Sequence, residues 1–188
     1  MPAAAEADSL LRAFADTADG AAMKSRDLSL QLLAHSATPF SRLQFTPGHI
    51  TCTGLVLSPD DRCFLLVHHR RLDRWLLPGG HVESYDVCLR DAARREVLEE
   101  TGVALQPGGP PGLAGVDVHG IPPRGKEPLH LHHDLVFLFH AESVDFRVSP
   151  ESRAVAWCGP GEFDRYALPD NIRRVWARVR ADAAPLLP

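Results

Sequence analysis

The segment Leu89 to Gly102, LRDAARREVLEETG, constrains this chain more than any other part of it. Leu89, Ala93 and Val97 recur at helical spacing, and Gly102 stands where a left-handed residue closes a helix. At 3.6 residues per turn, Glu96 and Glu100 fall on or beside the apolar stripe, and Glu99 lies at its edge. The C-terminal end of a helix carries roughly half a negative charge, so acids there are disfavoured. Like charges one turn apart repel, and burial makes the repulsion and the desolvation larger. Arg94 points away from the glutamates on the wheel, and Arg95 can pair with only some of them. Oxygen ligands grouped in this way suit a hard divalent cation, Mg²⁺ or Mn²⁺. A solvated helix end is the competing reading of EVLEE alone, and the flanking sequence decides between the two.

That flanking sequence alternates between periods. Residues 1 to about 36 carry Leu10, Leu11, Phe14, Leu28, Leu32 and Leu33 at helical spacing, with Asp19-Gly20 breaking the run into two helices. From Ile50 the chain turns β-branched. ITCTGLVL and RCFLLVHH, joined by SPDD, predict a hairpin. WLLPGG predicts a short strand ending in a turn, with a helix then running from about Asp86, as N-cap, to Thr101. GVDVHG, LHLHHDLVFLFHAE and SPESRAVAWC read as three further strands. A last helix is expected to start near Pro169 or Asp170. Trp75 is expected in the core. The order is that of a mixed α/β chain around a compact sheet.

Bulk properties narrow the function. The formal net charge is -4, with no basic run to follow a nucleic-acid backbone. The four cysteines are widely spaced, which disfavours a disulfide framework or a cysteine zinc site and favours a reducing, cytoplasmic setting. The acidic, Ala-rich start has the character of neither a signal nor a transit peptide, and no apolar run is long enough to span a membrane. The N-terminal helices carry no chemical motif; packing on the core or a homodimer contact is their expected role.

PGGHVESYDVCLRDAARREVLEETGV, Pro78 to Val103, closely resembles the Nudix box. That pattern is Gly, five residues, Glu, seven residues, then Arg-Glu-U-x-Glu-Glu-x-Gly-U, where U is bulky and aliphatic. Gly80 opens it, and Arg95 to Val103 match its whole second half. One residue is extra: Asp86 takes the first acidic position counted from Gly80, or Val87 if the insertion lies earlier. The resemblance implies an α/β/α sandwich with a mixed sheet over 46–188, preceded by a helical extension over 1–45. It implies hydrolysis of a diphosphate linkage in a nucleoside diphosphate derivative, with Mg²⁺ or Mn²⁺ as cofactor. The family's metal ligands map onto Glu96, Glu99, Glu100 and the backbone carbonyl of Gly79, and Arg95 is expected to orient Glu96. Glu151, six residues before Trp157, matches a later family acid, as ligand or general base. The catalytic set is then Glu99, Glu100, Arg95 and Glu151. A silent nucleotide-sensing domain or a diphosphate isomerase of the same fold are the alternatives. The intact second half of the box argues against the first, and the lack of a Cys and Glu pairing against the second.

Other residues are candidates for substrate contact. Arg70 and Arg74 precede WLLPGG and could meet phosphate, since arginine recognises it bidentately; a solvated loop is the alternative. His130, His132 and Asp134 share one strand face, with His133 opposite. His-x-His is a possible zinc pair, with His68-His69 at the end of a neighbouring strand as candidate company, but no third ligand is confirmed by the sequence. His132, with His81, is therefore assigned to substrate. AGVDVHGIPPRGKEPLH could cover the site, and Glu127 within it is a minor rival for the base.

Overall fold

The computed structural model describes residues 2–183. It begins with α1 (Pro2–Ala13) and α2 (Gly20–His35). Asp19 separates them by capping: its carboxylate accepts the N–H groups of Ala21 and Ala22, each at 3.0 Å. The strands are β1 (Gly48–Leu57), β2 (Phe64–His69), β3 (Arg74–Leu76), β4 (Gly79–His81), β5 (Gly115–Ile121), β6 (His130–His140) and β7 (Ser152–Cys158). The helix α3 (Leu89–Thr101) follows β4, and α4 (Asp170–Ala183) ends the described chain.

All seven strands join one sheet in the order β3-β2-β1-β6-β5, with β4 also paired to β1 and β7 to β2. β1 and β6 run parallel and the other pairs antiparallel, so the sheet is mixed. β1 is buried along its whole length, as a strand covered on both faces should be. Ile50, Cys52 and Val56 pack with residues of α1, α2 and α3. Leu55 and Leu57 pack with Ile172, Val175, Trp176 and Val179 around α4. The result is the α/β/α sandwich expected from the sequence.

The first helices are stitched into this core. Ala7 and Leu11 are fully buried in the same cluster as Leu89 and Ala92. The Glu6 carboxylate of α1 accepts the N–H of Leu89 at 3.1 Å, so the N-terminus of α3 is satisfied from outside its own sequence.

Two expectations need correction, and a third holds in part, since Trp75 packs against the core without being enclosed by it. α3 starts at Leu89, and Asp86 does not cap it; the N-cap is Cys88, whose side chain makes no capping bond. The reason is competition: Asp86 is gripped by Arg95 through Nε and Nη2, both at 2.9 Å, and accepts the N–H of Glu83 at 2.8 Å. The Gly79-Gly80 pair is not a turn but the start of β4, with Thr53 opposite Gly79 and Thr51 opposite His81. Trp75 sits half-buried at the core's edge, its ring 5.0 Å from that of His68 and 4.9 Å from that of Tyr166. Among the described residues, no helix is long and apolar enough to cross a membrane.

Candidate functional site

The site forms where α3 ends over β4. Close approach of helix and sheet is set by glycine: a Cβ on Gly54 would meet Val97 at 2.6 Å, and one on Gly80 would meet the Glu96 carboxyl at 2.7 Å. Gly102 closes the helix at φ 65, its N–H donating to Leu98 O at 2.8 Å. The last turn thus hangs its acids beside β4. Gly79 N–H donates to Glu100 Oε2 at 3.0 Å, and Glu100 is only 6% exposed. Glu96 is half-buried and Glu99 exposed.

Arg95 is the local counter-charge and is heavily shared. Besides Asp86 it reaches Glu96 at 2.7 Å, Glu99 at 3.4 Å and the carbonyl of His81 at 2.8 Å. Arg94 turns away to the carbonyls of Leu105 and Gln106, as the helical wheel predicts. One cation among so many acids leaves the charge uncompensated. Burial, then the charges of Glu96, Glu151 and Glu99, raise Glu100 to about 8 against the favourable Gly79 N–H. Burial also raises Glu96, opposed by Arg95. These acids resist ionisation unless something positive joins them, and a hard divalent cation fits that donor set.

The acids open onto a cavity of about 810 Å³, large enough for a nucleotide-sized ligand. Glu96, Glu99, Glu100, Gly79, Arg95 and Glu151 all line it. So do Arg70, His81 and His132, whereas Arg74 lies exposed on β3 outside the lining. Arg70 is anchored by the carbonyls of Pro150 and Ser152, at 3.1 and 3.2 Å. Glu127 is bound by Arg71 at 2.5 Å, which weakens its case as a base. No cysteine is among the lining residues.

Several lining residues escaped the sequence reading. Arg42, before β1, and Arg124 and Lys126, between β5 and β6, bring positive charge from two loops. His49, on β1, meets the strand-β6 histidines because β1 and β6 run parallel with His49 opposite His132. No local pattern announces a parallel register, so only the topology could find it. The sequence did assign the faces of β6 correctly: His133 points the other way and meets Ser29 Oγ of α2 at 3.0 Å. Burial lowers His81 to about 4 and holds His132 well below the usual histidine range, so both rings are neutral at pH 7. His119 is the exception. Burial lowers it, but Asp134 and Asp117 outweigh burial and raise it to about 8. Among the described residues, His49, His81 and His132 lie close enough to hold a metal, and so do Asp117, His119 and Asp134.

Fold and site together define a class: an α/β/α protein presenting clustered glutamates, from a helix that follows a glycine-rich strand, to a cleft. Residues 48–179 match the NUDIX domain family, and the chain belongs to that family; it is a Nudix-type pyrophosphohydrolase. A NUDIX-family hydrolase from Clostridium perfringens superposes with a TM-score of 0.52 at 18% identity, covering 71% of this chain and 97% of that one. A MutT NUDIX hydrolase from Burkholderia pseudomallei gives 0.52 at 26% identity, covering 69% and 96%. An Ap4A hydrolase from C. elegans, solved as a binary complex, gives 0.51 at 16%, covering 73% and 98%. No curated protein is similar enough in sequence to match.

Proposed function

We propose that this enzyme hydrolyses the diphosphate linkage of a nucleoside diphosphate derivative, using Mg²⁺ or Mn²⁺. The observation that carries the reading is the convergence of Glu96, Glu99, Glu100 and Glu151 on one cavity, with Arg95 paired to Glu96 and Glu99. Glu96, Glu99, Glu100 and the Gly79 carbonyl would hold the ion. When bound, it supplies positive charge that neutralises the diphosphate and favours attack on phosphorus.

The chain's own residues do the rest. Arg95 fixes the Glu96 carboxylate, and Gly79 N–H fixes one oxygen of Glu100. Glu151 acts as general base: it takes a proton from water as the new oxygen–phosphorus bond forms and the bridging bond breaks in line. Arg70, with Arg42 and Lys126, binds the anionic part of the substrate, and His81 and His132 face the remainder. Arg74 has no part in this assignment. Residues 1–45 are assigned to an extension packed on the Nudix domain of 46–188.

The test is product analysis over nucleoside triphosphates, ADP-ribose-like compounds, nucleotide sugars and dinucleoside polyphosphates with Mg²⁺ or Mn²⁺, run beside Glu100→Gln. Ion-dependent turnover of at least one class, lost in the variant, supports the reading. Full activity in Glu100→Gln overturns it.

A further inference from the structure

Three imidazoles that the diphosphate chemistry does not need meet on three adjacent strands. His132 of β6 is opposite His49 of β1. His81 of β4 is opposite Thr51 of β1, two residues from His49 and therefore on the same face. His49 Nε2 and His81 Nε2 are 3.1 Å apart. The ring of His132 lies 4.7 Å from that of His49 and 5.6 Å from that of His81. One ring nitrogen from each lies within 4.8 Å of the others.

We propose that His49, His81 and His132 form a site for a borderline divalent transition-metal ion, best matched by Zn²⁺ and separate from the carboxylate site. Tetrahedral zinc with bonds of about 2.0–2.1 Å holds its nitrogens roughly 3.3 Å apart, close to the spacing of the His49–His81 pair. His49 is already oriented for the task. Its Nδ1 lies 3.1 Å from the Gln44 carbonyl, which can only accept, so in the neutral ring Nδ1 carries the hydrogen and Nε2 presents a lone pair. A backbone carbonyl behind a ligating histidine is the usual outer support of such a metal site. Three protein nitrogens leave a fourth position for water or a substrate oxygen, and all three residues line the cavity.

The ligand types separate the two ions. Imidazole nitrogen favours zinc, whereas the glutamate oxygens favour magnesium. The neighbouring Asp117, His119 and Asp134 do not compete, because they already satisfy one another. His119 Nδ1 lies 3.0 Å from Asp117 and 3.5 Å from Asp134, and Asn171 donates to Asp117 at 2.8 Å.

The experiment is titration of the full-length, metal-stripped protein with Zn²⁺, and with Co²⁺ as a coloured stand-in, against His81→Gln, His132→Gln and Glu100→Gln. One equivalent of zinc should bind, and millimolar Mg²⁺ should not displace it. Either histidine variant should weaken zinc binding by roughly 100-fold or more, while Glu100→Gln retains it. Co²⁺ should give visible bands of tetrahedral intensity. X-ray absorption of the zinc-loaded unmodified protein needs no variant to fold, and should find imidazole nitrogens at about 2.0–2.1 Å. Sub-stoichiometric zinc, an all-oxygen shell, or binding lost in Glu100→Gln but kept in the histidine variants overturns the site. Because the readout is binding, the result is independent of whether any diphosphate is hydrolysed.

Discussion

The two ligand clusters of the cavity are built in opposite ways. The carboxylate cluster comes from one helical turn and the strand just before it, all within Gly79–Glu100, with Glu151 added from the residue before β7. The histidine cluster draws one residue from each of three strands, across positions 49 to 132, and exists only because a parallel pair sets its register. The first is a local device that travels with its sequence. The second is a property of the whole sheet. A ligand set written in one stretch can be recognised without knowing the fold, whereas one assembled by strand pairing cannot.

The sharpest way to break the comparison is Glu100→Gln. Turnover should fall by at least about 100-fold while the melting temperature holds and zinc still binds. Joint loss of both metals, in a titration of Mn²⁺ and Zn²⁺, would mean that the clusters act as one. Asp86→Asn comes next. It removes one partner of a buried, bidentate ion pair and leaves Arg95 short of charge, with Asp86's side chain 4% exposed. A loss of about 3 kcal/mol is expected, seen as a drop of roughly 6–12 °C in calorimetry. An unchanged melting curve would make the Asp86 contact ornamental.

Gly80→Ala should act more gently, and only on the local device. The new methyl must displace the Glu96 carboxyl, which lies 2.7 Å from its ideal position. The concentration of Mn²⁺ giving half-maximal activity should rise about 10-fold, a cost near 1.4 kcal/mol, with zinc affinity untouched. The smallest effect belongs to the histidine side. His119 has its pKa raised to about 8 in the fold. Its stabilisation is therefore fully present below the unfolded value near 6.5 and is lost as pH rises through about 8. His119→Gln should flatten that part of the stability–pH curve in denaturant titrations, and an identical slope in both proteins would remove the ion pairs from the account.

Much of this was legible in the residues because it is local. Helical spacing and Gly102 gave the end of α3, and Asp19-Gly20 gave the break between the first helices. The alternation of His132 with His133 gave the two faces of β6. What failed was decided at a distance. Asp86 is a good cap by type, yet Arg95, nine residues on, outbids the helix terminus for its carboxylate. Gly79-Gly80 reads as a turn until β1 lies beside it to receive a strand. Arg74 was chosen for its neighbourhood in sequence, and β3 carries it out of the cavity while Arg70 stays in. His49 had no signal at all, and Asp117 and His119 had none beyond lying in the run 114–130 that could cover the site, since their meeting depends on which strands are neighbours.

The hydrogen bond from Leu89 N–H to Glu6 has a practical corollary. The family match begins at residue 48, which tempts one to trim the chain there for crystallisation or transfer to another host. Such a truncation would strip the ligand-bearing helix of its foreign cap and uncover the hydrophobic wall that Ala7 and Leu11 now shield. The leading helices thus cap and cover the enzyme's working parts, and a chain cut at residue 48 is expected to melt at a lower temperature than the full one.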